Sequence, residues 1–294
     1  MAVFKGAGVA LITPMNEDAT VNYDKLEELI EEQIAGGTDA IIIVGTTGEG
    51  STLSMEEHRH TIKMAVEFTK GRIPVVAGTG SNCTETAIQL TQEAEEDGAD
   101  AALVVTPYYN KATQAGLIRH YGMIADATKL PIIMYNVPGR TGTNIAPETV
   151  AELVKTKKNI VGVKDATANM AQTSKTMYLT DGKCDLYSGE DGLVVPIMSV
   201  GGIGVISVVS NILPKEMHDM CALFLEGKVT EANAIQRRLI PMVEALFCEV
   251  NPVPVKCMMN MMGKKVGPLR APLFDLTPED EKRCRQALVD YKLI

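Results

Sequence analysis

The chain has 294 residues, a formal net charge of −9 and a hydrophobic content of 46%, enough apolar material for one sizeable packed core. It has no Trp and only 4% aromatic residues, which argues against a base-stacking nucleic-acid platform. The negative charge argues against nucleic acid and anionic membrane surfaces, but leaves anionic small substrates open if a site supplies local positive charge.

Residues Gly6 to Ile12 run into Thr13-Pro14 and read as a first strand and turn rather than a signal peptide. β-rich runs recur at Val9–Ile12, Ala40–Val44, Ile73–Ala77, Ala101–Val105, Ile132–Tyr135, Ile160–Val163, Asp185–Tyr187 and Gly204–Val208. Most are about 30 residues apart, the size of a βαβ unit. Helical patterns fill the gaps. Leu26, Leu29, Ile30 and Ile34 share a face that ends at Gly36-Gly37, Ser54-Met55-Glu56-Glu57 is a capping box, and Asn82-Cys83-Thr84-Glu85 resembles one. Residues 192–214 carry no charge, yet Pro196, Gly201, Gly202 and Gly204 interrupt them. A short buried helix and a buried strand are expected there, not a membrane span.

Eight alternating units predict an α/β fold, a (β/α)8 TIM barrel forming a catalytic domain over residues 1–226. A doubly wound open sheet is the alternative, but no proper phosphate fingerprint accompanies it. After Gly227 the strands stop. Val229–Phe247, Val253–Met262 and Pro278–Tyr291 read as helices, a small C-terminal α-helical subdomain spanning residues 227–294. Its Met258-Met259-Asn260-Met261-Met262 cluster reads as adaptable packing.

The six cysteines (83, 184, 221, 248, 257 and 284) include no CxxC pair, as expected of reduced thiols in a cytoplasmic protein. Four histidines offer little to a zinc site, and His58 and His60 lack the i, i+4 spacing of a helical metal pair, so no metal is expected.

Lys164 closes the apolar run Ile160-Val161-Gly162-Val163. It either starts a solvent-facing loop or is a desolvated ammonium whose pKa falls, the form in which lysine makes Schiff bases with carbonyl substrates. Other strand ends carry unusual residues too, where a barrel collects its chemistry. The second run leads into Gly45-Thr46-Thr47-Gly48-Glu49-Gly50, either a flexible turn or a cradle of backbone N–H groups and hydroxyls for a carboxylate. The fourth leads into Tyr108-Tyr109, which suit interface packing or proton transfer. The fifth ends in Tyr135 and a loop bearing Arg140, a candidate carboxylate fork or the partner of a surface acid. Tyr135 itself suits the core as well as the site. After the seventh, Glu190-Asp191 reads as a solvated, helix-starting acidic turn. Together these residues describe a cofactor-free, Schiff-base aldolase acting on oxo acids.

The segments GTTGEGSTLS, VTPYYNK, YNVPGRTG, GVKDAT, YSGEDG and GVISVVSN, with NPVPVK from Asn251, resemble in order and spacing the dihydrodipicolinate synthase (4-hydroxy-tetrahydrodipicolinate synthase) family of pyruvate-dependent class I aldolases. The likeness covers essentially the whole chain. The YNVP…RTG loop is more similar to the synthase than to the N-acetylneuraminate lyase branch. The resemblance implies condensation of pyruvate with L-aspartate 4-semialdehyde in lysine and diaminopimelate synthesis, with no cofactor beyond the imine on Lys164. It further implies that Tyr135 positions pyruvate and transfers protons, and that Thr47 and Tyr109 complete a hydroxyl relay, Tyr109 entering from a neighbouring subunit. Thr46 and Thr47 amides would hold the pyruvate carboxylate, Arg140 the semialdehyde carboxylate, and Gly189 and Ile206 would add backbone contacts. A homotetramer, a dimer of dimers, is implied. So is a lysine cleft at Gly50, Ser51, Met55, His58, Asn82, Thr86 and Tyr108. Met55 replaces a frequent histidine there and Thr86 an acid, so weak or absent lysine feedback is expected.

Two other readings compete. A sialic acid or 2-keto-3-deoxy sugar acid lyase would share the lysine, but Arg140 suits a short semialdehyde carboxylate better than a polyol. A non-catalytic oxo-acid sensor would be expected to lose the lysine or a relay hydroxyl, and all are present.

Overall fold

The structure, a computed structural model, describes residues 2–294. Eight parallel strands are β1 Gly6–Ala10, β2 Ala40–Ile43, β3 Val75–Gly78, β4 Ala101–Val105, β5 Ile132–Asn136, β6 Ile160–Asp165, β7 Asp185–Ser188 and β8 Gly204–Ser207. They pair in chain order, and β8 returns to β1 in the register Gly6↔Gly204 to Val9↔Ser207, closing a barrel and ruling out the open sheet. Helices separate successive strands, and Pro214–Leu225 follows β8. Three more helices, Val229–Leu246, Val253–Met261 and Pro278–Asp290, complete the chain.

Alternation along the strands sorts side chains into two cores. Ile42, Val76, Leu103, Ile133 and Ile206 cluster inside the barrel, whereas Ile41, Ile43, Ile132, Met134 and Val163 pack against the helices. Burial on both faces explains why the strands read as unbroken apolar runs. At the end where strands begin, Phe4 stacks on Tyr187 with centroids 4.5 Å apart, and the Tyr187 hydroxyl donates to the Phe4 carbonyl at 2.8 Å. On β6, Gly162 and Lys164 share the parity opposite to Val163. A Cβ at Gly162 would lie 2.3 Å from the Asp185 carbonyl oxygen, so β7 approaches β6 closely only because that residue is glycine. Register then sets Lys164 beside Tyr135 on β5 and Tyr187 on β7.

Several local expectations shift. The first strand covers Gly6–Ala10 rather than Val9–Ile12, because the Ile12 N–H leaves the sheet for the Asn211 side chain at 3.1 Å. The third strand begins at Val75, after Pro74, which has no N–H to donate. Ser54 and Glu57 form the reciprocal capping box. The segment Asn82–Glu85 does not: Cys83 is the N-cap and makes no side-chain capping bond. On the helix Tyr23–Ala35, Gln33 is buried where Ile34 was expected, its amide donating to the Ser210 carbonyl at 2.8 Å and accepting from Thr38 at 2.7 Å. The uncharged stretch forms the short buried helix Val194–Ser199 and then β8. Among the described residues no helix is long and apolar enough to cross a membrane.

Candidate active site

Lys164 is the next-to-last residue of β6, and only 6% of it is exposed. Its ammonium nitrogen lies 4.3 Å from the centroid of the Tyr135 ring. Burial pushes the Lys164 pKa down to about 8. Asp191 and Glu190 oppose that fall, and Arg140 adds to it. At pH 7 roughly a tenth of such an amine is neutral, against less than about 0.1% of an ordinary lysine. Burial also raises the Tyr135 phenol to about 12, so it stays protonated and able to donate; Arg140 and the neighbouring Thr46 hydroxyl pull the other way.

A cavity of about 450 Å³ opens over this lysine, and Lys164, Tyr135, Thr46, Thr47, Arg140 and Gly189 all line it. Gly189 is small where it must be: a Cβ there would stand 3.1 Å from Lys164 Cε and 2.8 Å from Ala166 Cβ. Ile206 is buried in the inner barrel core with Tyr135 and Tyr187 and does not line the cavity. Tyr109 is 88% exposed with a φ of +74°, turned away from its own chain's cavity. The cavity continues past Gly50, Ser51, Met55, His58, Thr86 and Tyr108, so most of the expected lysine cleft is contiguous with the lysine chamber. Asn82 is outside the lining, its carbonyl accepting from Asn110 at 2.8 Å. His58 Nε2 donates to the Gly78 carbonyl at 2.9 Å, and burial lowers its pKa.

The acidic turn after β7 departs from expectation. Asp191 is buried rather than solvated, 3% exposed, and its Oδ2 accepts from the Val208 and Val209 N–H groups at 2.9 and 3.1 Å. It therefore ties the end of β7 to the end of β8. Burial raises its pKa; Ser207, those two N–H groups and Lys164 pull it back. Glu190 is half-buried on the cavity wall, and burial raises its pKa as well.

Three further residues escaped the sequence reading. Asn251 Nδ2 donates to Thr47 Oγ1 at 2.9 Å, and its carbonyl accepts from Arg140 Nη2 at 3.3 Å. Lys256 forms a fully buried ion pair with Glu49 at 2.8 Å, and the Arg270 N–H donates to the other Glu49 oxygen at 2.9 Å. All three clamp the loop that carries Thr46 and Thr47. One signal was available: Lys256 is the only charged residue in the helix Val253–Met261. Among the described residues no group of three or more His, Cys, Asp or Glu could hold a metal ion.

A closed parallel barrel with a desolvated lysine at the C-terminal end of β6, a phenol over it and a cationic mouth defines the imine-forming class of barrel lyases. Within that class, the dihydrodipicolinate synthetase family profile matches residues 3–290, and the chain belongs to this family. It is 57% identical over 276 residues, 94% of either chain, to the 4-hydroxy-tetrahydrodipicolinate synthase of Lachnoclostridium phytofermentans. A crystal structure of a dihydrodipicolinate synthase superposes with a TM-score of 0.97 at 47% identity, over 99% of this chain and 100% of that one. The Acinetobacter baumannii dihydrodipicolinate synthase, solved in complex with pyruvate, gives 0.95 at 44% identity over 99% of each chain.

Proposed function

We propose that the chain condenses pyruvate with L-aspartate 4-semialdehyde, the 4-hydroxy-tetrahydrodipicolinate synthase reaction of lysine and diaminopimelate biosynthesis. The observation that carries this is Lys164: a lysine with its pKa near 8, buried against Tyr135 in the cavity that Arg140 closes. The neutral amine attacks the pyruvate carbonyl carbon, and the carbinolamine loses water to give an imine. Loss of a methyl proton makes an enamine, whose carbon adds to the aldehyde. The amine of the semialdehyde moiety then displaces Lys164 from the imine carbon and closes the ring, one water being released overall. The imine is the electron sink, so no cofactor or metal is required.

Tyr135 positions pyruvate and transfers protons, with Thr47 and Tyr109 completing the relay. The Thr46 and Thr47 amides hold the pyruvate carboxylate, and Gly189 and Ile206 supply backbone contacts. Arg140, exposed at the mouth, takes the semialdehyde carboxylate. Tyr109 points away from its own cavity, which supports its serving a neighbouring subunit in a cytoplasmic homotetramer built as a dimer of dimers. Residues 1–226 act as the catalytic barrel, and residues 227–294 form a subdomain that braces it. The cleft from Gly50 to Tyr108, with Asn82 at its edge, is where lysine would bind, weakly for want of an acid at Thr86.

A coupled assay with pyruvate and aspartate semialdehyde tests the assignment. Turnover is expected with that aldehyde and not with N-acetylmannosamine or sugar-acid aldehydes. The reverse preference would move the chain to another branch of pyruvate aldolases.

A further inference from the structure

We propose that Asn251 is a positioning residue for the reaction: its side-chain amide holds the Thr47 hydroxyl as an acceptor and so leaves the Thr47 proton free to move. The proposal rests on the imine-forming reading above. Asn251 stands in the turn between the helices Val229–Leu246 and Val253–Met261, outside the barrel sequence, yet it is 5% exposed and lines the same cavity as Lys164. Its Nδ2–H donates to Thr47 Oγ1 at 2.9 Å, a buried bond spanning 204 residues. A hydroxyl has one proton and two lone pairs. When a lone pair receives the amide N–H, the proton must point elsewhere, into the cavity that Thr47 also lines.

The other amide atom strengthens the case. Asn251 Oδ1 is buried and has no hydrogen-bond partner. Leaving a buried acceptor unpaired costs stability, so an apolar residue would suit this position better if packing were all that mattered. What the amide supplies is a donor of fixed polarity toward Thr47. The backbone of the same residue contacts Arg140, whose Nη2 donates to the Asn251 carbonyl at 3.3 Å. A side-chain substitution therefore leaves the contact to the aldehyde-binding arginine in place while altering the contact to the relay hydroxyl.

Asn251→Asp separates the roles because it is nearly isosteric but acceptor-only. Thr47 would then donate to the carboxylate, and its proton would be withdrawn from the relay. For Asn251→Asp, kcat is expected to fall about a hundredfold, with the semialdehyde KM within about threefold of wild type. In a Thr47→Val background the same substitution is expected to change kcat by less than about twofold further, because there is no hydroxyl left to orient. Retention of kcat within about threefold by a folded Asn251→Asp enzyme, or a full loss persisting in the Thr47→Val background, overturns the proposal. If Asn251→Asp does not fold, Asn251→Ala replaces it, with about a tenfold loss of kcat expected and the same background control. Borohydride trapping of pyruvate on the wild-type enzyme is run alongside: failure there would defeat the imine-forming reading, whereas normal trapping with an unaffected Asn251→Asp enzyme would defeat only the role of Asn251.

Discussion

At the scale of single residues, one desolvated amine governs the chemistry and also costs stability. The folded-state pKa of Lys164, about 8, lies below the ordinary lysine value of 10.5. The fold therefore disfavours the ammonium. That penalty is fully present below pH 8 and is relieved as pH rises from about 8 toward the unfolded value. Lys164→Met should accordingly raise stability at pH 7 by on the order of 2 kcal/mol, with the advantage shrinking above pH 8, as read by denaturant titration at both pH values. The rate of imine formation with pyruvate should climb with pH through an apparent pKa near 8. A flat profile from pH 6 to 9 would mean that the amine is not desolvated in the working enzyme. At the mouth, Arg140→Ala should raise the KM for the semialdehyde by about tenfold or more and leave that for pyruvate nearly unchanged; equal effects on both would contradict its assignment.

At the scale of elements, the loop after β2 is held from behind by the C-terminal helices. Glu49 sits in a left-handed conformation, φ +52°, and its carboxylate is shared between Lys256 and the Arg270 N–H. Lys256 also donates to the Thr13 and Pro268 carbonyls at 3.2 and 2.5 Å. Removing one partner of a fully buried pair strands the other charge. Lys256→Met should cost about 3–5 kcal/mol, and Lys256→Met with Glu49→Gln should recover much of it, as measured by thermal unfolding. These elements also mark where the sequence could be read. The eight strands were legible because burial on both faces writes them as apolar runs, and Lys164 was legible because it breaks one. The end of β1 was not, since Leu11 and Ile12 stay buried after leaving the sheet. Asp191 was not, because its partners are backbone N–H groups on a distant turn, which no local pattern records. The clamp on Thr47 was hidden for the same reason: Asn251 is 204 residues away in the chain.

At the scale of the whole molecule, the two exposed features that one chain leaves unused are Tyr109 and the outer reach of the cavity. If Tyr109 serves a neighbour, mixing inactive Lys164→Ala and Tyr109→Phe chains, then dissociating and reassembling them, should restore roughly a quarter of the sites, since one site of each mixed pair is intact. The branch toward His58 and Thr86 carries no carboxylate at Thr86, so sub-millimolar lysine should leave activity largely unchanged; strong inhibition there would refute that reading. Both expectations depend on the imine on Lys164. Its most direct test is borohydride reduction of the protein with pyruvate, followed by mass spectrometry of the peptides. One reduced pyruvate adduct per chain, located on Lys164 and absent from Lys164→Ala, is predicted. An adduct that persists in Lys164→Ala, or none in the wild type, would contradict it.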